Sequence, residues 1–355
     1  MLVAVTVATT GLVGLWLDHI RPTELPRPTG AFAVGRASYT WDDLSGWLWY
    51  PGARGATAAD YLPPAIRAEW TRARPTFINF LTRDLAKVHG HSADDVPISN
   101  AQPQYPVVIL RAGGSGSALN FSSLAEDLAS HGYIVVGLDM TTTANPEHCV
   151  GRDDEEECAT KIMASFVDGI GRALHQLERI NRDDMRFAGK LDLARVGVFG
   201  HSFGGAQAAQ FCAQDTRCRA GIDIDGRPFG SVISTGIPVP FMFLLSDHGT
   251  PDDAVSQRIL SQIQGIYERQ PRDTRLRVAI RGAHHFTFSD DGALLKSGLF
   301  RGLLRLFGVL GINGRRQVEV TAYLVRTFFD VHLKGTTKGS DPLTAAAFPE
   351  IVLVE

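Results

Sequence analysis

Short runs of apolar, often β-branched residues alternate with amphipathic stretches along most of the chain. The runs are five to seven residues long and end at glycine or other turn residues, which is typical of buried strands. They predict strands at residues 106–112, 133–139, 195–199, 220–224, 239–245 and 275–280. Helical spacing of apolar or small residues predicts helices at 121–130, 161–182, 202–213 and 318–333. This alternation predicts an α/β fold with a mostly parallel central sheet flanked by helices.

The part of the chain before this alternation has a different pattern. Residues 36–41 and 46–50 predict an antiparallel hairpin. Residues 58–104 predict a mainly helical, arginine-rich insertion that would cover a site as a lid. Because no internal repeat or low-complexity linker divides the sequence, we predict one domain, residues 26–355, preceded by an apolar segment, residues 1–25.

The first 17 residues carry no charged side chain. This length is at the lower limit for crossing a bilayer, and no Lys or Arg precedes the run as in a secretory signal. One interpretation is an apolar element packed on the fold. The other is the remnant of a signal or membrane anchor, which leaves open a contact with a membrane or lipid surface through the N-terminus.

Composition and charge exclude several classes of protein. The chain has 355 residues, of which 44% are hydrophobic and 21% charged, values close to those of globular proteins. Lys and Arg (35) nearly balance Asp and Glu (38), and the net charge is −3. A nucleic-acid-binding protein normally has a basic excess, so we expect no nucleic-acid partner. A globular enzyme or binding protein remains.

A G-x-S-x-G motif lies within residues 200–205 (GHSFGG). It follows a predicted strand and begins a small-residue helix, the setting in which a sharp turn exposes a serine hydroxyl. The alternative is a phosphate-binding loop, which is disfavoured because neither G-x-G-x-x-G nor Gly-Lys-Ser/Thr is present. The motif therefore predicts that Ser202 is a nucleophile.

A nucleophilic serine needs a histidine to accept its proton and a carboxylate to orient that histidine. In such sheets the acid precedes the histidine along the chain. The loop sequence Arg-Gly-Ala-His-His-Phe follows a predicted strand, and its Gly-Ala-x-His-Phe arrangement favours His285 over His284 as the base. Asp225 and Asp247 both follow predicted strands, and either could supply the carboxylate, whereas Asp223 lies further inside its strand.

Acyl transfer also needs hydrogen-bond donors for the oxyanion that develops on the substrate. The N–H of Phe203, directly after the serine, is the first predicted donor. The second should come from the turn after the first parallel strand, residues 111–116 (RAGGSG), where we assign Gly114. This chemistry requires no metal, and we interpret the polar cluster at His89 and His91 as a surface feature, so no metal or cofactor is predicted.

The four cysteines form two local sequence pairs, Cys149 with Cys158 and Cys212 with Cys218. Two disulfides would suit an oxidising compartment, whereas four free thiols would suit the cytoplasm. Of the two pairs, Cys212 with Cys218 is the stronger candidate, and the pattern favours export to the periplasm, the medium or the membrane surface over the cytoplasm. We interpret the acidic run at residues 153–157 as a solvated loop.

Several short sequence blocks are scattered over residues 26–335, namely residues 28–30 (PTG), 49–51 (WYP), 128–133 (LASHGY) and 200–205 (GHSFGG). Together they resemble the platelet-activating factor acetylhydrolase family of α/β-hydrolases, especially its bacterial esterase and lipase relatives. The sequence departs from the family at the oxyanion turn, where Ala112-Gly113 stands in place of His-Gly. The backbone N–H groups of this turn can still donate hydrogen bonds after this change, but the floor of the pocket should differ.

The resemblance implies an α/β-hydrolase fold and a Ser202–Asp225–His285 triad. In that family the acid lies 23 residues after the serine, at Asp225 here, which leaves Asp247 as the alternative. We therefore expect a serine carboxylic-ester hydrolase that acts on a small-molecule ester or lipid. One alternative is phospholipase A2-like activity on short or oxidised acyl chains. Another is a non-catalytic binding protein that keeps the hydrolase fold.

Overall fold

A mostly parallel sheet of ten strands organises the part of the chain that the computed structural model describes. The described residues are 2–41, 44–73, 82–114, 116–139, 146–149, 151–247, 253–295, 302, 306, 311–336 and 347–354. The described strands are β1 (Thr23–Glu24), β2 (Ala33–Trp41), β3 (Leu44–Gly52), β4 (Val88–His89), β5 (Ser92–Asp94), β6 (Tyr105–Arg111), β7 (Ile134–Leu138), β8 (Leu191–His201), β9 (Cys218–Ile224), β10 (Phe241–Leu245), β11 (Arg275–Ile280) and β12 (Ile351–Leu353).

The strand order in the large sheet is β12-β11-β10-β9-β8-β6-β7-β3-β2-β5. The six strands from β11 to β7 are parallel to one another, whereas β12 pairs antiparallel with β11 and the β2–β3 hairpin pairs antiparallel with β7. A separate two-stranded sheet joins β1 and β4. The predicted α/β fold with a mostly parallel sheet is confirmed.

Helices cover both faces of the sheet, which is why the central strands are nearly continuous apolar runs in the sequence. The described helices are α1 (Leu2–Ile20), α2 (Pro64–Ala73), α3 (Ser122–Ser130), α4 (Glu155–Asp183), α5 (Phe203–Gln214), α6 (Val232–Thr235), α7 (Ala254–Arg269), α8 (Asp290–Leu294) and α9 (Gly314–Lys334). On β6, Val108 and Leu110 belong to the core layer beneath α3 and α9, whereas Val107 and Ile109 belong to the layer beneath α4 and α5.

The acidic run was wrongly predicted to be a loop, because Glu155–Glu157 form the first turn of α4. Carboxylates near a helix N-terminus interact favourably with the partial positive charge of the first N–H groups. Glu155 and Glu156 also form ion pairs with Arg227 and Arg258. The helix therefore starts six residues before the predicted position 161, while the acidic side chains remain at the surface.

The N-terminal segment forms helix α1, whose C-terminal end is attached to the body of the protein. Asp18 forms an ion pair with Arg83, and the His19 ring lies within hydrogen-bond distance of the Thr82 carbonyl. Among the described helices, none has both the length and the apolar character needed to cross a membrane. The division of the chain at residue 25 stays a prediction.

Residues 58–104 contribute α2, a 3-10 turn at Leu85–Lys87, and the short strands β4 and β5. Residues 74–81 lie outside the described part of the chain. Strand β5 pairs with β2 at the edge of the large sheet. At least part of this segment therefore extends the sheet instead of lying over it.

Candidate active site

Ser202 lies on a sharp turn between β8 and α5, with φ 56° and ψ −126°. Such a conformation costs about 1–3 kcal/mol and persists only where the surroundings hold it. The Ser202 N–H donates to the Ile224 carbonyl at 2.8 Å, and the Ser202 carbonyl accepts from Gly205. A Cβ on Gly200 would lie 2.3 Å from the Gly204 backbone, so the tight turn requires glycine there.

The His285 ring joins Ser202 to Asp225. Its Nε2 lies 3.0 Å from Ser202 Oγ, and its Nδ1 lies 2.7 Å from Asp225 Oδ2. A carboxylate only accepts hydrogen bonds, so Nδ1 carries the proton and Nε2 is free to accept the proton of the serine. The structure thus brings together the three side chains that the sequence predicts as nucleophile, base and acid.

Asp225 is held by a serine that sequence reasoning missed. Its Oδ1 accepts a hydrogen bond from the Ser246 N–H, and its Oδ2 accepts one from the Ser246 hydroxyl, each at 2.8 Å. Asp225 also has a positive φ of 57°, directly after β9. The only sequence signal for Ser246 is its place at the end of the neighbouring strand, β10.

The alternative acid, Asp247, makes different contacts. Its Oδ2 accepts a hydrogen bond from the Gly282 N–H at 2.7 Å, and its N–H donates to the Ala283 carbonyl. These bonds attach the end of β10 to the loop that carries His285. Asp247 therefore supports this loop, whereas the carboxylate at His285 Nδ1 belongs to Asp225.

Asp223 is buried beneath the Ser202 turn. Its Oδ1 accepts a hydrogen bond from the Gly226 N–H at 2.7 Å, and among the described residues its Oδ2 has no hydrogen-bond partner. Burial, with a smaller contribution from the negative charge of Asp225, raises the pKa of Asp223 to about 8. The Asp223 carboxyl group is therefore mostly neutral near pH 7.

We expect Asp223→Asn to remove a pH dependence of stability. The pKa of Asp223 is higher in the folded protein than in the unfolded chain, so the folded state binds this proton more tightly. The resulting contribution to the unfolding free energy is present at low pH and is lost as the pH rises towards 8. Between pH 5 and pH 9 the wild type should lose about 4 kcal/mol of unfolding free energy relative to the variant. Urea denaturation at both pH values measures this, with the exposed Asp183→Asn as control. If the difference in unfolding free energy between wild type and Asp223→Asn is the same at pH 5 and pH 9, the prediction is wrong.

The two predicted oxyanion donors lie near Ser202. The Phe203 N–H belongs to the first turn of α5 and so has no acceptor within the helix. Gly114, with φ +49°, lies in the turn after β6 and lines a cavity of about 280 Å³ that includes Ser202 and His285. The preceding Gly113 is so close that a Cβ there would lie 2.6 Å from Ser202 Cβ.

The lining of this cavity is partly apolar. Phe121 and Phe286 line it, and Phe286 is 80% exposed. Asn120, Ser289 and Asp291 add polar groups to the lining. A larger cavity of about 780 Å³ lies between α3 and α9 and contains none of the triad residues. The chemistry, not the size of the cavity, therefore identifies the candidate site.

Both predicted cysteine pairs are disulfides in the structure. The Cα–Cα distances are 5.7 Å for Cys149–Cys158 and 5.1 Å for Cys212–Cys218. The first attaches the 3-10 turn at Pro146–Cys149 to the start of α4, and the second joins the end of α5 to the start of β9. Within the described residues, no group of three His, Cys, Asp or Glu side chains could hold a metal ion.

Comparison with known proteins supports the family resemblance. The model of the family described as "Platelet-activating factor acetylhydrolase, isoform II" matches residues 151–303. A probable 1-alkyl-2-acetylglycerophosphocholine esterase from Arthroderma benhamiae is 24% identical over 70% of this chain and 66% of its own length. A platelet-activating factor acetylhydrolase from Cavia porcellus is 26% identical over 53% of this chain and 49% of its own.

More distant similarity extends to other esterases. A cutinase from Thermobifida fusca is 28% identical over 34% of each chain. The solved structure of a ferulic acid esterase from Streptomyces cinnamoneus has a TM-score of 0.71, with 21% identity, over 94% of this chain and 99% of that one. At this identity the structural match shows the fold alone.

The chain spans about half to two thirds of the length of the first two relatives, and the family match covers the nucleophile, acid and histidine positions. The resemblance predicted from the sequence is confirmed by the family match and by the names of these relatives. The chain is therefore related to the platelet-activating factor acetylhydrolases and has the α/β-hydrolase fold.

Proposed function

We propose that the chain is a serine carboxylic-ester hydrolase that works through an acyl-enzyme. The observation that carries this proposal is the continuous hydrogen-bonded series from Ser202 Oγ through His285 to Asp225, with distances of 3.0 and 2.7 Å. The names of the relatives, which include an esterase, an acetylhydrolase and a cutinase, support the same reaction class.

In the proposed mechanism, Ser202 Oγ attacks the ester carbonyl carbon while its proton moves to His285 Nε2. The Phe203 and Gly114 N–H groups donate to the oxyanion that forms on the carbonyl oxygen. As the tetrahedral intermediate collapses, the carbon–oxygen bond to the alcohol breaks and His285 returns the proton to the leaving oxygen. Asp225 stabilises the transient imidazolium by its charge.

Water completes the cycle by the same route. His285 removes a proton from a water molecule, which attacks the acyl carbon and forms a second oxyanion in the same place. Collapse of this intermediate breaks the bond to Ser202 Oγ, His285 returns the proton to that oxygen, and the carboxylic acid is released. The two hydrogen bonds from Ser246 fix the orientation of the Asp225 carboxylate throughout both steps.

The alternative within this reaction class is hydrolysis of short or oxidised acyl chains of phospholipids. One relative is named as an esterase of an acetylglycerophosphocholine, which favours this alternative. Helix α1 also favours it, because four apolar side chains at helical spacing are at least half exposed there, a pattern suited to a lipid surface. These residues are Leu12, Val13, Trp16 and Leu17.

We also propose that the protein is exported. Two disulfides, one at the start of α4 and one beside the strand that leads to Asp225, suit an oxidising compartment. Their formation does not depend on the substrate, so this proposal is independent of the acyl specificity.

Two measurements test the activity. We expect a fluorophosphonate probe to modify the native protein at Ser202 and p-nitrophenyl butyrate to be hydrolysed, because both reactions use the activated hydroxyl. Comparing kcat/KM for this ester with that for a short-chain phosphatidylcholine separates the two substrate classes. Heat-denatured protein is the control for labelling. A native protein that is neither labelled nor active would instead be a binding protein with a hydrolase fold.

A further inference from the structure

His201, the residue before the nucleophile, has a contact that the catalytic mechanism does not use. Its side chain is 7% exposed, and its ring centre lies 4.5 Å from that of His285. Phe121 and Phe288 pack on other sides of the ring, with centre-to-centre distances of 5.6 and 6.0 Å. His201 Nε2 lies 2.8 Å from the backbone carbonyl oxygen of His285.

This contact determines the tautomer of His201. A carbonyl oxygen only accepts hydrogen bonds, so Nε2 must carry a proton and donate it. Burial, together with the neighbouring His285, lowers the pKa of His201 to about 4. The ring is therefore neutral near pH 7, with its proton on Nε2 and without a proton on Nδ1. Because the His201 ring is neutral, it does not repel the positive charge that develops on His285 during the reaction.

The hydrogen bond between His201 and the His285 carbonyl connects the turn that carries the nucleophile to the turn that carries the base. His201 belongs to the end of β8, directly before Ser202, and His285 begins the 3-10 turn at His285–Phe288. The next residues of that turn are held by a different element, because the Thr287 hydroxyl and Gln317 of α9 are 2.5 Å apart. The described contact with α9 fixes the turn to a helix, whereas the His201 contact fixes the base directly to the nucleophile turn.

His201 also packs against the oxyanion turn. A Cβ placed on Gly113 would lie 3.3 Å from His201 Nδ1 and 2.7 Å from the His201 carbonyl oxygen. The ring thus lies where the nucleophile turn, the base turn and the oxyanion turn meet. A side chain in this place can set the distances among all three without touching the reacting atoms.

We propose that His201 is a positioning residue that fixes His285 relative to Ser202 by donating Nε2–H to the His285 carbonyl. The proposal rests on the proposed function, since it concerns the same base. The role of His201 is to hold Ser202 Oγ and His285 Nε2 at proton-transfer distance during both acylation and deacylation. An error of about 1 Å in such a distance can lower a rate about 100-fold.

The test compares a variant that keeps the donor with one that loses it. In His201→Gln the side-chain amide can place an N–H near the position of Nε2, whereas His201→Leu fills similar space without a donor. His332→Leu is the matched control, because His332 is a half-buried histidine on α9 that packs on Phe328 at 4.6 Å. Kinetics on p-nitrophenyl butyrate and the rate of fluorophosphonate labelling are measured for each folded protein.

We expect His201→Leu to lower kcat about 100-fold with KM changed less than about threefold, and to slow labelling in parallel. We expect His201→Gln to stay within about fivefold of the wild type and His332→Leu to be unchanged. Equal losses in the leucine and glutamine variants, or a loss confined to KM, would overturn the proposal. So would a folded glutamine variant that loses more than about tenfold, which decides the matter if the leucine variant does not fold.

The failure of this proposal can be told from failure of the proposed function. A wild type that is labelled and active, with His201→Leu equally active, overturns the positioning role alone. A wild type that shows neither labelling nor turnover overturns both.

Discussion

Replacing Ser202 by alanine is expected to lower kcat for p-nitrophenyl butyrate by about five to six orders of magnitude. The substitution removes the attacking oxygen, and no other hydroxyl among the described residues lies within hydrogen-bond distance of His285 Nε2. The residual rate should reflect the oxyanion donors and substrate binding alone, which still act without a nucleophile. Initial rates at saturating substrate measure the change.

The fold should tolerate this substitution. The backbone N–H of Ser202 still donates to Ile224, and its carbonyl still accepts from Gly205. Alanine and serine are strained alike at the positive φ of 56°, so unfolding free energy should change by less than about 1 kcal/mol. The exposed Ser234→Ala on α6 is the control. Wild-type turnover in the folded Ser202→Ala protein would remove Ser202 from the mechanism.

The sequence pattern predicts the nucleophile and the base because each has a strong local signal. Ser202 lies in a motif whose glycines serve one backbone geometry, and His285 lies on a loop directly after a predicted strand. Both signals depend on neighbours in the sequence. The same is true of the central strands, where burial on both faces produces uninterrupted apolar runs.

Contacts between distant segments have no such signal. Ser246 holds Asp225 across 21 positions, and His201 reaches the His285 carbonyl across 84. Strand β5 joins β2 from a segment whose pattern predicts part of an insertion. In each case the residue type is ordinary for its local element, and its role comes from tertiary packing that the one-dimensional pattern does not encode.

The choice of acid illustrates the same limit. Asp225 and Asp247 both follow strands of the same parallel sheet, so residue type and position in the sheet do not distinguish them. Only the family resemblance favours Asp225. The structure adds the physical difference. The Asp225 backbone has a positive φ and its carboxylate reaches His285, whereas the Asp247 carboxylate accepts the Gly282 N–H.

Replacing Asp225 by asparagine is expected to lower kcat about 10⁴-fold, and the same replacement of Asp247 less than about threefold. An asparagine at 225 can still accept the Ser246 N–H with its amide oxygen, which turns the amide N–H₂ towards His285 Nδ1. That donor favours the tautomer with the proton on Nε2, which cannot accept the proton of Ser202. The substitution also removes the negative charge that stabilises the His285 imidazolium.

An asparagine at 247 keeps the bond that Asp247 makes, because its amide oxygen can still accept the Gly282 N–H. The two variants are thus matched in chemistry and sheet position, and they differ in whether the carboxylate meets the base. Steady-state kinetics on p-nitrophenyl butyrate, with circular dichroism to verify folding, measures the contrast. Equal losses in the two variants would mean that the His285 loop shifts between carboxylates in solution, and a loss only in Asp247→Asn would transfer the orienting role to Asp247.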